Sequence, residues 1–323
     1  MLYNEHNQPS TPYKKIHRKK STGKLVIVPG ESYEPECLVN RGSYFDCYIG
    51  VKHKKECKID HKSKLNNFDE FIKEKLTKFV PVKDKEILTK IGENFINYKC
   101  IKINKEIQQC INCKKEVCIE CVKQCKIESN GCKAMCVLVS RRNICTDFIE
   151  IIKKVHNLEG NLVKISYASF TDDQFILQMP YHILSLQDIL IYANSNKLKL
   201  KKEFIYKIML DCAKGVLQLN QVNLIHNDIK PQNILFNLEK EVFLLCDFNV
   251  SQEPGIIKLD GDKKYMGKEI LNDLCFFVSD VYSLGVLYLE MSDKKSDVFI
   301  SRMISDEIKN RPSIKEVISY FTL

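Results

Sequence analysis

Glycine and proline are scarce, 12 and 9 residues in 323, which excludes collagen-like and linker-dominated architectures. No run of 18 consecutive apolar residues occurs, so no transmembrane helix and no membrane partner are expected. The N-terminus, MLYNEHNQPSTPYKK, lacks the apolar core of a secretory signal. These absences point to an intracellular chain, in the nucleus or the cytoplasm. In such a compartment the 15 cysteines are expected as reduced thiols rather than disulfides.

What is present suffices for a large core: 44% of residues are hydrophobic and 28% charged. The net charge of +9 is uneven, because residues 1–85 carry 18 Lys and Arg against 11 Asp and Glu. Residues 1–85 therefore read as a basic, partly disordered extension. It is either a solvated Lys-rich segment or a targeting or acidic-partner element, with Lys14, Lys15, Arg18, Lys19 and Lys20 as the candidate address. No nucleic-acid partner is expected. From Glu86 the pattern tightens. Phe148, Ile151, Ile152 and Val155 fall on one helical face, as do Ile208, Cys212, Val216 and Leu219. Between them, NLVKISYAS and DDQFILQMPY read as strands joined by a turn at 171–173. Strands first and helices later give an α+β class.

The most specific stretch is IHNDIKPQNILF, Ile225 to Phe236, with EVFLLCDF after it. Phosphoryl transfer needs a carboxylate to orient and deprotonate the acceptor hydroxyl, a cation beside the phosphoryl group and oxygen ligands for Mg²⁺. Asp228, Lys230, and the pair Asn233 with Asp247 supply these in turn.

The pattern H-x-D-x-K-P-x-N resembles the protein-kinase catalytic loop. The resemblance covers residues 86–323 and implies a two-lobed fold: an N-lobe at 86–180, a C-lobe at 181–323, and ATP with Mg²⁺ between them. It implies transfer to a protein substrate, with Asp228 and Lys230 catalytic. Tyr265 to Glu269 occupies the family's Ala-Pro-Glu position, whose glutamate pairs with a late arginine, here Arg311, and Asp280 braces the catalytic loop. Glu150 stands where the family places the glutamate of the N-lobe helix, fourteen residues before Lys164.

Within that family the chain resembles the Wee mitosis-inhibiting kinases, in LTKIGENFINYKCIKI with the later NGCKAMC, and in LDGDKKYMGKEIL. Ile176 to Tyr181 is similar to their hinge, placing Met179 at the gatekeeper position and Tyr181 beside the nucleotide, and Asn227 replaces the arginine before the catalytic aspartate. This likeness implies a cyclin-dependent kinase as partner and leaves the acceptor open between Ser/Thr and Tyr.

The nucleotide-binding half departs from the pattern. Gly92 remains of the glycine-rich loop, with Asn94 and Ile96 at the other glycine positions. Cys136 stands where the family has its phosphate-clamping lysine, leaving Glu150 without its usual partner. A lysine restored at 136 is expected to re-form that pair. An unusual active kinase and a pseudokinase serving as a binding scaffold both remain open. Residues 104–131 form a Cys-rich insertion, in which Cys110, Cys113, Cys118 and Cys121 offer four thiolates for Zn²⁺. The alternative is a helix face, since Cys118, Cys121 and Cys125 are spaced i, i+3, i+7.

Overall fold

The computed structural model describes residues 26–28, 37–41, 44–52, 108–109, 116–117, 133–140, 146–170, 175–182, 184–195, 197–237, 240–256, 262–293 and 296–322. Strands come first. They are β1 (Val26–Val28), β2 (Cys37–Arg41), β3 (Phe45–Lys52), the short hairpin β4 (Gln108–Gln109) with β5 (Glu116–Val117), and β6 (Lys133–Ser140). Helix α1 (Thr146–Val155) comes next, then β7 (Tyr167–Phe170) and β8 (Phe175–Pro180). Six of these strands form one antiparallel sheet in the order β1-β7-β8-β6-β3-β2.

Helix α1 lies on this sheet because its apolar stripe is continuous: Phe148, Ile151, Ile152 and Val155 are all buried, as their spacing predicts. Phe148 meets Phe45 of β3 and Phe175 of β8 at ring-centroid distances of 5.8 and 5.6 Å, joining helix to sheet through three aromatic rings.

The larger part is helical. It begins with β9 (Leu184–Ser185), α2 (Leu186–Ser195) and the twenty-residue α3 (Lys202–Gln221). Ile208, Cys212, Val216 and Leu219 of α3 are buried, as their helical period predicts. Strands β10 (Ile234–Asn237) and β11 (Val242–Leu245) form a small sheet with β9. The chain then runs through β12 (Gly255–Ile256), α4 (Lys268–Leu271), β13 (Leu274–Cys275), α5 (Ser279–Met291), α6 (Val298–Met303) and α7 (Ile314–Thr322). This is the expected two-lobed α+β fold.

The sheet corrects the boundary expected at residue 85. Strands β1, β2 and β3 lie inside residues 1–85 yet belong to the sheet, with β3 paired to β6 from Phe45↔Ser140 to Lys52↔Lys133. A hairpin whose partner lies some eighty residues later leaves no local periodicity linking it to that partner strand. Among the described residues no helix is long and apolar enough to cross a membrane.

Candidate functional site

The loop between α3 and β10 is held from beneath by one buried carboxylate. Asp280, in the first turn of α5, accepts the backbone N–H of His226 at 2.8 Å and of Asn227 at 3.0 Å. Burial pushes its pKa up to about 6 despite these two bonds. Asn227 takes a left-handed conformation, φ 64°, which Asn tolerates better than most residues. Its amide donates to the Val250 carbonyl at 3.3 Å.

On this loop three of the residues singled out from sequence meet directly. The Lys230 ammonium lies 2.6 Å from Asp228 Oδ2. Asn233 Nδ2 donates to the same oxygen at 2.7 Å and to the Asp228 carbonyl at 2.9 Å. Both donors fix the carboxylate by charge-assisted bonds. Because the Asn233 nitrogen is committed to Asp228, its Oδ1 is the atom suited to a metal. The Cys246 N–H donates to the Asn233 carbonyl at 2.9 Å, bringing the next residue, Asp247, alongside. Asp247 also has a left-handed backbone, φ 68°, and is exposed.

His226 ties these pieces together. Its Nε2 faces the Cys246 carbonyl at 3.1 Å and therefore carries the proton, leaving Nδ1 to accept the Asp228 N–H at 3.4 Å. Burial lowers its pKa to about 4, with the Asp228 charge opposing the shift. Unfolded, the imidazole takes up a proton near pH 6.5; folded, it does so only near 4. Stability is therefore lost as pH falls through that window. Asp280 acts in the opposite sense, since its native pKa is the raised one, but it cancels when wild type and His226→Gln are compared at equal pH. From pH 7 to pH 5 the wild type should lose roughly 2 kcal/mol relative to the variant. Urea unfolding at both pH values checks this, and a constant difference would contradict it.

The residues expected to line the nucleotide are arranged differently from expectation. Cys136 pairs with Met179 across β6 and β8, so the expected clamp and gatekeeper positions are neighbours. Tyr181, half-buried, comes directly after β8. Cys136 Sγ does not face an acidic partner; it lies 3.3 Å from Cys47 Sγ of β3. Glu150 is a correction. It is 64% exposed and pairs at 2.6 Å with Lys153 on its own helix. The buried stripe of α1 turns it outward, so a lysine at 136 would not find it. Gly92 lies outside the described residues, and the hairpin bordering the Cys136 strand is that of β2 and β3.

Sequence reasoning missed Cys47 and Cys246. The string GSYFDCYIG, around Cys47, keeps one glycine at its start and puts Phe45 three residues on, a pattern that did not mark the β2–β3 hairpin. Cys110, Cys113, Cys118 and Cys121 lie outside the described residues. Among the described residues no group of three or more His, Cys, Asp or Glu is placed to hold a metal ion.

The protein kinase domain family matches residues 106–311, more than half of the chain. The chain is 29% identical over 150 residues to the membrane-associated tyrosine- and threonine-specific cdc2-inhibitory kinase of Drosophila melanogaster, covering 45% of this chain and 27% of that protein. It is 34% identical over 135 residues to the corresponding kinase wee-1.3 of Caenorhabditis briggsae, covering 40% and 20%. It is 35% identical over 138 residues to the MAP kinase kinase MKK1/SSP32 of Saccharomyces cerevisiae, covering 40% and 27%. The matched stretch spans about a quarter of these relatives' lengths.

Proposed function

Because the chain belongs to the protein kinase family, we propose that it transfers the γ-phosphoryl group of ATP to a Ser, Thr or Tyr hydroxyl of a protein. The substrate we infer is a cyclin-dependent kinase, inside the cell, in the manner that the Wee-like relatives' names describe. The observation that carries the reading is the contact set on one loop: Lys230 and Asn233 both on the Asp228 carboxylate, with Asp247 tied alongside through Cys246.

The fit to ATP with Mg²⁺ is uneven. Asn233 Oδ1 and the exposed Asp247 carboxylate are the right oxygen donors for Mg²⁺. Cys136, by contrast, brings no cation to the opposite wall. When bound, ATP with Mg²⁺ supplies the phosphoryl group and the charge that offsets its oxygens. Asp228 orients the acceptor hydroxyl and takes its proton, and Lys230 holds that carboxylate while placing a positive charge next to the transfer. Neutral His226 keeps the loop in register with Asp247.

Ser251 is buried and donates to the His226 carbonyl at 3.2 Å, and Tyr265 donates to Glu290 at 2.5 Å. Neither hydroxyl is presented for phosphorylation, and Asn227 offers no charge to hold a phosphate.

A second reading, a scaffold that binds partners without transferring phosphate, is favoured by the Cys47–Cys136 contact and the outward Glu150. Nucleotide titration with and without Mg²⁺ separates the two. Saturable, Mg²⁺-dependent binding that is lost in Asp247→Ala supports the enzyme; no binding at millimolar ATP supports the scaffold.

A further inference from the structure

Cys47 and Cys136 sit on paired antiparallel strands, where Ile49 faces Cys136 and Cys47 faces Leu138. They are therefore diagonal neighbours on one face of the sheet, and sheet twist shortens one of the two diagonals. Their sulfurs are 3.3 Å apart, and both side chains are half-buried rather than sealed in the core. Cys136 is also the register partner of Met179, and its thiol interacts with that of Cys246, whose N–H bonds the Asn233 carbonyl. The Cys246 thiol, on the loop side of the cleft, is close enough to feel the charge of Cys47.

We propose that Cys47 and Cys136 form a reversible modification site, a strand-bridging disulfide made by exchange with a low-molecular-weight disulfide such as oxidised glutathione. One cysteine thiolate attacks a sulfur of the reagent, forming a mixed disulfide and releasing one glutathione thiolate. The second cysteine thiolate attacks the protein-bound sulfur, forming the Cys47–Cys136 bond and releasing the second glutathione. The two protein thiols are oxidised, the reagent is reduced to two thiols, and the two protons go to the leaving sulfurs.

To form a bond of about 2.05 Å the sulfurs must close the remaining gap from 3.3 Å, which on a sheet diagonal also draws the two strands together. The mutual hydrogen bond, reinforced by burial, pushes the Cys136 thiol up, so exchange is slow near neutrality and accelerates with pH. A bridge across a sheet diagonal is strained and hence readily reversed by reductant. Once formed, it ties the β2–β3 hairpin covalently to the strand that pairs with Met179, at the position where the family carries its clamp lysine.

The test uses the full chain, folded, incubated with oxidised glutathione, then denatured with excess N-ethylmaleimide and digested with trypsin. Cys47 falls in GSYFDCYIGVK, residues 42–52, and Cys136 in AMCVLVSR, residues 134–141, each with a single cysteine. The expected result is these two peptides linked, the link disappearing after dithiothreitol and in Cys47→Ser and Cys136→Ser, with thermal unfolding confirming that the variants fold. Recovery of both peptides singly alkylated, or each carrying glutathione without a link, overturns the proposal. So does a bridge from either cysteine to Cys246. A second readout, release of a fluorescent nucleotide, should slow by about threefold or more on oxidation. That readout rests on the nucleotide reading of the cleft, whereas the peptide map does not, so failure of either is recognisable.

Discussion

Asp228→Asn is expected to reduce phosphoryl transfer at least ~100-fold, about 2.7 kcal/mol of barrier, with nucleotide affinity changed by no more than about twofold. The amide retains the shape of the carboxylate but cannot accept the acceptor's proton. It also weakens the local order, because Lys230 and Asn233 Nδ2 both donate to Oδ2. In the variant both donors meet the same replacement atom, either an uncharged oxygen or an NH₂ group. In the proposed mechanism Asp228 acts on the acceptor side, so affinity is spared and the loss appears in kcat. Steady-state kinetics together with nucleotide titration checks both halves. Activity within threefold of wild type would remove Asp228 from the catalytic role, and a parallel collapse of affinity would point to loop disorder instead.

Arg311→Ala is expected to cost about 3–5 kcal/mol of stability. Arg311 and Glu269 are paired at 2.5 and 2.7 Å with side chains 0% and 4% exposed, the two-pronged geometry in which guanidinium matches carboxylate. Arg311 Nε also donates to the Ser305 carbonyl at 2.8 Å, and its guanidinium lies 4.8 Å from the Tyr282 ring centre. Burial alone would push the Glu269 carboxyl up, but the Arg311 hydrogen bonds hold it below its ordinary value. Removing the arginine therefore strands a buried anion. Protonating that anion relieves the variant, so its deficit should shrink as pH falls toward 5. Glu269→Gln combined with Arg311→Met should cost clearly less than Arg311→Ala, because neither partner is then left charged. Urea unfolding of the variants closes the cycle, and a deficit under 1 kcal/mol for Arg311→Ala would show that solvent reaches Glu269. The pair also explains Gly267, since a Cβ there would collide with the Glu269 carboxylate and lie 2.8 Å from Arg311 Nη2.

At Glu150 the direction of a side chain is legible in the sequence while its role is not. The stripe Phe148, Ile151, Ile152, Val155 defines the buried face of α1, and position 150 lies roughly 100° round the helix from Ile151. Spacing to Lys164 suggests a partner for the clamp, whereas helical geometry puts the side chain in water beside Lys153. The β2–β3 hairpin is not legible for a different reason. Its pairing with β6 spans some eighty intervening residues, and no short window along the chain contains both strands.

By itself, the sequence determined the features whose physics is local. Asp228, Lys230 and Asn233 lie within six positions of one another, so one short loop is enough to bring them together. Helical periods similarly dictated the buried faces of α1 and α3, because each turn of a helix repeats the same environment. The Glu269–Arg311 partnership, though distant in sequence, was legible through the family resemblance of its two motifs. Tertiary structure alone decided which side chains meet across the sheet. Register between β3 and β6 places Cys47 against Cys136, and a shift of one residue would have turned the whole strand face over. That register depends on how strands some eighty residues apart are brought together, a long-range entropy cost offset by pairing and packing across the sheet, and no short pattern of residues encodes it.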